Sequence, residues 1–370
     1  MASATTISSS EPTKVHTSNI SSIKAFAESN GTSLIPSNYH SLTEHGDIID
    51  VADEIAASIP IIDFSLLTSD DPQIHTKAVH ELAKACSEWG FFMLTNHGIP
   101  ESLMEELMKK SLEFHDLPVE EKKEFGDNGE PFSPIRHGTS FHLPAESVHF
   151  WRDYLKVLTS PQFNFPHKPP GYSQHLCREV AFEYSQKITW VARKLIQGIS
   201  ESLGLESNSI IESSGFDSGQ QIMAVNLYPP CPQPYLALGL PAHSDVGFLT
   251  FLIENGIGGL QVKHEDKWIN VNPIPNCLVV NIGDQLEAVS NGRYESVLHR
   301  AILNNKDTRI SLVVVNGPAE DRDIGPAPEL LLKEKPLFKS IKYRDYFLLQ
   351  QKSRLSDERA LDKIRYSAQQ

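Results

Sequence analysis

Positive charge is scarce in this chain: 33 Lys and Arg stand against 47 Asp and Glu, a net charge of −14, and no basic block occurs anywhere. A balance so acidic excludes the electrostatic footprint of a nucleic-acid or anionic-membrane binder and leaves small molecules as the expected partners. Long apolar runs are missing too. None approaches the ~20 residues that span a bilayer, so no membrane segment is expected. The opening MASATTISSSEPTK has no apolar leader core, and Glu11 with a first arginine only at Arg136 tells against a plastid transit peptide. Cysteine is sparse: Cys86, Cys177, Cys231 and Cys277 lack Cys-x-x-Cys spacing, which suggests neither a zinc ribbon nor a disulfide framework. The expectation is a cytoplasmic monomer with a disordered tail over residues 1–22.

What is present has two textures. Residues 23–215 read mainly as helix: SIKAFAESNGTSLIPSNY holds a short one closed by Gly31 and Pro36, HTKAVHELAKACSEWG ends on Gly90, PESLMEELMKKSLEFHDLP starts with Pro100 at N1 and runs to Pro118, and a last helix covers about 176–204. IPIIDFS and FFMLTNHG interrupt them as strands, and 126–175, rich in Pro, His and aromatics, reads as loops and short strands. Over 216–320 the pattern switches to closely spaced strands, among them QIMAVNLYP, FLTFLIE, GGLQV, WINVNP, CLVVNIG and RISLVVVNGP, divided by Gly, Pro or Asn. That spacing predicts an antiparallel barrel or jelly roll. Residues 321–370 return to helix. The expected fold class is α+β, a jelly-roll core between an N-terminal helical region and a C-terminal helix.

Within the mostly apolar run GLPAHSDVGFLTFL, His243 and Asp245 stand two apart, which on a strand directs both side chains to one face. A carboxylate buried there needs a compensating partner, and a metal ion is one. Two other His-x-Asp pairs are expected to be inert. His264/Asp266 sits in the polar VKHEDKW and reads as a hairpin turn; His45/Asp47 lacks alternating apolar neighbours. His299 in YESVLHRAILN is the candidate third ligand, on a strand that a jelly roll can bring in from its second sheet. Two His and one carboxylate on one face of an ion is the donor set of non-haem Fe(II) oxygenases. Arg309 and Ser311 in RISL again share a face. The partner of the guanidinium is either a protein Asp or Glu or a ligand carboxylate held bidentately, with Ser311 adding a hydroxyl. For His299 and Arg309 to face one cavity, the turn at NNKD must be an odd-length hairpin loop or a bulge. Asn226 and Tyr228 in VNLYPPCPQP form a further pair two apart.

The set His243-x-Asp245, His299 and Arg309-x-Ser311, preceded by NLYPPCPQP, resembles the plant 2-oxoglutarate/Fe(II)-dependent dioxygenases, the family of flavanone 3-hydroxylase and anthocyanidin synthase. IPIIDFS, WGFFMLTNHGIP, GGLQV, NIGDQLEAVSNGRYESVLHRA and YRDYF are similar to its landmarks, in order. The resemblance implies a double-stranded β-helix in which His243, Asp245 and His299 hold Fe(II). It implies that Arg309, Ser311 and Tyr228 bind the distal carboxylate of 2-oxoglutarate, with Asn226 nearer the metal. Oxygen and 2-oxoglutarate would be consumed and succinate and CO2 released as a substrate is hydroxylated, demethylated or desaturated, with ascorbate in support. Two alternatives stand beside this reading: an ascorbate-dependent non-haem iron oxidase of the same fold, separated by its independence of 2-oxoglutarate, and a non-enzymatic jelly-roll metal-binding protein. His97 and Gly98 read as a turn, Asp284 as a cap or turn. On substrate the chain departs from flavonoid oxygenases: the aromatic they place four after the serine is Val315, and the long side chain that some relatives place two before the Asn is Ala224. A roomier, less polar pocket is expected, with Phe141 and Phe150 as aromatic walls, suited to an apolar phenolic, flavonoid or terpenoid.

Overall fold

Asp71 starts the first long helix, α2 (Pro72–Glu88), by accepting from the backbone N–H groups of Gln73 and Ile74, and Pro72 fills a first-turn position that needs no donor. In the computed structural model, which describes residues 20–30, 34–40, 59–140, 149–167, 174–353 and 358–367, a short α1 (Ile23–Asn30) precedes it. The stripe Ala78, Val79, Leu82, Ala85 and Cys86 buries α2 against α4 (Gln174–Ser202), whose Val191, Leu195, Ile196 and Ile199 are wholly enclosed. Helix α3 (Glu101–Asp116) packs on the same long helix. Gly90 ends α2 at φ +60°, where an added Cβ would stand 2.4 Å from the Glu295 carbonyl, so glycine alone turns the chain into the next strand.

Two sheets follow. The major one joins β1 (Ile61–Asp63), β2 (Phe91–Thr95), β3 (Ile135–Thr139), β4 (Asp153–Ser160), β5 (Gln221–Tyr228), β7 (Leu249–Glu254), β10 (Leu278–Ile282) and β12 (Arg309–Asn316) in the order β1-β2-β10-β7-β12-β5-β4-β3. The minor one joins β6 (Leu240–His243), β8 (Leu260–His264), β9 (Lys267–Val271) and β11 (His299–Ala301) in the order β6-β11-β8-β9. Strand alternation sorts the apolar side chains: Phe92, Leu94, Phe251 and Ile253 face the helices, whereas Phe91, Met93, Leu252, Val262 and Val279 fill the space between the sheets. The expected jelly roll with flanking helices is what forms. Among the described residues no helix is long and apolar enough to cross a membrane.

The region 23–215 is less separate than its helical texture suggested. It supplies β1 to β4, so the major sheet spans both halves of the chain, and the eight-residue β4 lies in the stretch expected to be loops and short strands. The tail boundary moves as well. Ser22 is buried, its hydroxyl donating to Asp153 at 2.7 Å while the Ile23 N–H donates to the same carboxylate. KHEDK is the expected hairpin turn, with Glu265 and Asp266 at positive φ; His45 and Asp47 lie outside the described residues. The NNKD turn is not a hairpin. β11 pairs with β6 and β8 and β12 with β5 and β7, so the chain changes sheets there, and loop parity does not decide where His299 and Arg309 point.

Candidate active site

The cavity lies between the sheets, and its floor is one face of the major sheet. Register aligns the floor residues in four rows. Ile222, Val315, Thr250, Asn281 and Phe91 form the first; Arg136, Lys156, Ala224, Val313, Leu252 and Val279 the second; Tyr154, Asn226, Ser311 and Glu254 the third; Tyr228 and Arg309 the last. All but Glu254 line the cavity. Residues two apart on β5 and β12 thus do share a face, as their spacing indicated.

His243, Asp245 and His299 converge above the first row, with ligand atoms all within 4.8 Å of one another. The local structure differs from the sequence reading in two ways. β6 ends at His243, so Asp245 stands beyond the strand rather than on it. His243 and His299 are direct partners on neighbouring strands of the minor sheet, not contributions from two sheets. Asp245 Oδ1 lies 3.8 Å from His243 Nε2, and Oδ2 lies 3.7 Å from His299 Nε2. Nδ1 of His243 sits 2.9 Å from the Pro241 carbonyl and Nδ1 of His299 sits 3.2 Å from that of Val297. A carbonyl only accepts, so each Nδ1 carries the proton and each Nε2 lone pair is left for an ion. Asn281 donates to Asp245 Oδ2 at 2.9 Å, and the Asp284 N–H holds the Asp245 carbonyl at 2.7 Å. Burial pushes the Asp245 carboxyl up, but the neighbouring His299 and His243 together with the Asn281 hydrogen bond hold it below its ordinary range. An ionised carboxylate and two Nε2 lone pairs meeting at one point fit Fe(II).

At the far end of the floor Arg309 already has a carboxylate. Its Nε donates to Glu254 Oε2 at 2.9 Å, Nη2 donates to the same oxygen, and both side chains are almost fully buried. Of the two partners left open by the sequence, the protein one is present; Nη1 takes no part in this pair. The guanidinium carbon lies 5.2 Å from the Tyr228 ring centroid, and Ser311 is one row nearer the metal. Gly259, at φ +111°, lets the backbone pass where an added Cβ would stand 3.2 Å from Arg309 Cδ. Asn226 accepts from Arg152 Nη1 at 3.0 Å.

Ala224 does not leave its side of the cavity without a long polar side chain. Its partner on β4 is Lys156, so the long side chain missing from β5 is supplied one strand over, and Arg136 and Arg152 stand beside it. Val315 does line the cavity; Phe150 is buried but does not, and Phe141 lies outside the described residues. Phe347, Gln350 and Gln351 close the cavity from α6 (Tyr343–Ser353), which no local signal connects to the site. Asp284 secures that helix. It opens α5 (Asp284–Val289), as a turn residue would, but its buried carboxylate also accepts from Tyr346 at 2.7 Å and faces Arg359, while Gln350 donates to the Ser244 carbonyl between the two β6-side ligands at 3.1 Å. Signals for the cations existed: RDYLKVLT alternates, placing Arg152, Tyr154 and Lys156 on one face.

Comparison with known proteins bears directly on this arrangement. The 2OG-Fe(II) oxygenase superfamily matches residues 219–318, and the N-terminal region of non-haem dioxygenases in morphine synthesis matches 59–178. The 2-oxoglutarate-dependent dioxygenase 19 of Oryza sativa subsp. japonica is 42% identical over 309 residues, covering 83% of this chain and 90% of that protein. The chain belongs to the 2OG-Fe(II) oxygenase superfamily. Flavanone 3-dioxygenase 2 of the same plant is 40% identical over 84% of this chain and 88% of its own. Among solved structures of the superfamily, JOX2 in complex with 2OG, Fe and JA superposes with a TM-score of 0.82 at 30% identity, over 95% of this chain and 99% of that one. As a plant-type 2OG-Fe(II) oxygenase the chain is an oxidoreductase that uses Fe(II), 2-oxoglutarate and O2 on a small-molecule substrate.

Proposed function

We propose that this dioxygenase hydroxylates, demethylates or desaturates a largely apolar plant metabolite of phenolic, flavonoid or terpenoid type, releasing succinate and CO2. The observation that carries the reading is the meeting of His243, Asp245 and His299 over a floor that leads, along β12, to Ser311 and Arg309. In this reading His243 and His299 donate through Nε2 and Asp245 through its carboxylate to Fe(II), while Asn281 and the Asp284 N–H keep the carboxylate aimed. Arg309 and Ser311 hold the distal carboxylate of 2-oxoglutarate beside Tyr228, and Asn226 stands one row nearer the metal. The iron and cosubstrate, when bound, supply the oxidising chemistry that breaks a substrate C–H bond. The protein fixes the direction of attack: Leu240, Val246, Val313 and Val315 pack the substrate, and Phe347 with Gln350 on α6 keeps water from the reacting face. The setting is the cytoplasm, as a monomer without nucleic-acid or membrane partners and with ascorbate in support, a placement favoured by the net charge of −14. Relatives acting on flavanones support the apolar substrate class.

The test is an anaerobic titration of the Fe(II)-loaded protein with 2-oxoglutarate, followed by the weak visible charge-transfer band, with His243→Ala as control. The band is expected in the native chain and absent from the control. Bound iron without a band would refute the assignment of the cosubstrate site.

A further inference from the structure

The charge of Arg309 is met by the protein itself, and the local structure holds that partner firmly. On β7 Glu254 is the direct register partner of Ser311, so Arg309, two residues along β12 on the same face, is its diagonal neighbour. The pair is tied down on both sides. The Gly258 N–H donates to Glu254 Oε1 at 3.2 Å, while Oε2 takes Nε and Nη2 of Arg309. Next to it, Asn255 accepts from the Ile310 N–H at 3.2 Å and donates to the Thr308 carbonyl at 2.9 Å, which joins the end of β7 to the start of β12. Arg309 lines the cavity and Glu254 does not. The carboxylate therefore acts on a ligand through the guanidinium rather than by touching it. Glu254 occupies the side of the guanidinium fork made by Nε and Nη2, and the end of the fork that includes Nη1 remains for a ligand.

We propose that Glu254 sets how tightly and how selectively the 2-oxo acid is held, by meeting the Arg309 charge before the cosubstrate does. The inference rests on the cosubstrate assignment in the dioxygenase reading above and deepens it. A buried guanidinium without a counterion would draw in any carboxylate strongly, because leaving such a charge unpaired is costly. A pair of zero net charge gains less from the ligand. What it offers a distal carboxylate is directional: the N–H donors at the end of the fork, with the Ser311 hydroxyl and Tyr228 beside them. The consequence is a loosely held cosubstrate and a narrowed preference for a charged tail over an uncharged one of the same length. Glu254 is thus a positioning residue that works through Arg309.

The test uses the full chain loaded with Zn(II), titrated calorimetrically with 2-oxoglutarate and with 2-oxopentanoate, which carries a methyl group in place of the distal carboxylate. Glu254→Gln keeps the shape of the side chain and removes its charge. It is expected to bind 2-oxoglutarate about tenfold or more tighter than the native chain, and 2-oxopentanoate within about twofold of it. Glu254→Met, uncharged by a second route, is expected to move the same way, and Glu254→Asp, which keeps the charge, to stay within about threefold of native for both ligands. A general loss of structure would weaken both ligands and tighten neither. Unchanged or weaker 2-oxoglutarate binding in the uncharged variants, equal tightening of both ligands, or tightening in Glu254→Asp as large as in Glu254→Gln would overturn the role of Glu254. Arg309→Met reads the underlying assignment separately. If it abolishes the native preference for 2-oxoglutarate while the Glu254 variants show no tightening, only the role of Glu254 falls; if the preference survives in Arg309→Met, the cosubstrate site itself is misassigned.

Discussion

Glu254→Gln separates the structural duty of Arg309 from its duty toward the cosubstrate. The Arg309 and Glu254 side chains are 3% and 6% exposed, so the substitution leaves a guanidinium buried with no neutralising carboxylate. Breaking such a pair costs about 3–5 kcal/mol. Unfolding a chain of 370 residues carries an entropy of about 0.8 kcal/mol per degree, so the melting temperature should fall by about 4–6 °C. Bound 2-oxoglutarate brings a carboxylate back to the same guanidinium. If it restores half of the loss, about 2 kcal/mol, the ligand raises the melting temperature of the variant by about 2–3 °C more than that of the native chain. The assay is differential scanning fluorimetry of the Zn(II)-loaded proteins, which do not turn over, with and without saturating 2-oxoglutarate. An equal ligand-induced rise in both proteins would refute the idea that the cosubstrate carboxylate sits on Arg309.

Asn281→Leu removes the donor on Asp245 Oδ2 and is expected to weaken metal binding about 10–100-fold in a chelator competition; unchanged affinity would show that Asp245 is aimed by its backbone alone. Gly259→Ala forces a side chain into positive φ against Arg309, and is expected to weaken 2-oxoglutarate binding in calorimetry while metal affinity stays unchanged. Stability should also report the buried His137, whose imidazole is pushed down to about 4, first by burial and then by the Lys122 charge. An unfolded histidine titrates near 6.5, so between that pH and about 4 the unfolded chain binds a proton the fold refuses. Stability therefore falls as pH falls through this window, by about 3 kcal/mol from His137. Urea melts from pH 7.5 to 4.5 should show that slope reduced in His137→Phe; identical slopes would refute it.

The metal centre was legible because its residue types are costly in an apolar run: an Asp and two His among strand formers call for a compensating ion wherever the strands end. What was misread is local geometry. Asp245 lies past the end of β6 and the two histidines are neighbours in one sheet, differences that spacing alone does not carry. The cationic wall went unseen for another reason. β3 and β4 lie in a stretch interrupted by Pro, His and aromatics, and their alternation has meaning only once β5 beside them shows which face is inside. Phe347, Gln350 and Gln351 reach the cavity through a clamp of Asp284, Tyr346 and Arg359, a contact between distant segments that no periodicity announces.

The strand order also acts as a ruler. From β4, which carries Lys156, to β7 and β10, which carry Thr250 and Asn281 beneath the metal position, the sheet takes three and four steps of about 4.8 Å. A molecule that touches both the β4 margin and the metal position must stretch across β5 and β12, so the width of the sheet sets the reach of anything that fills the cavity.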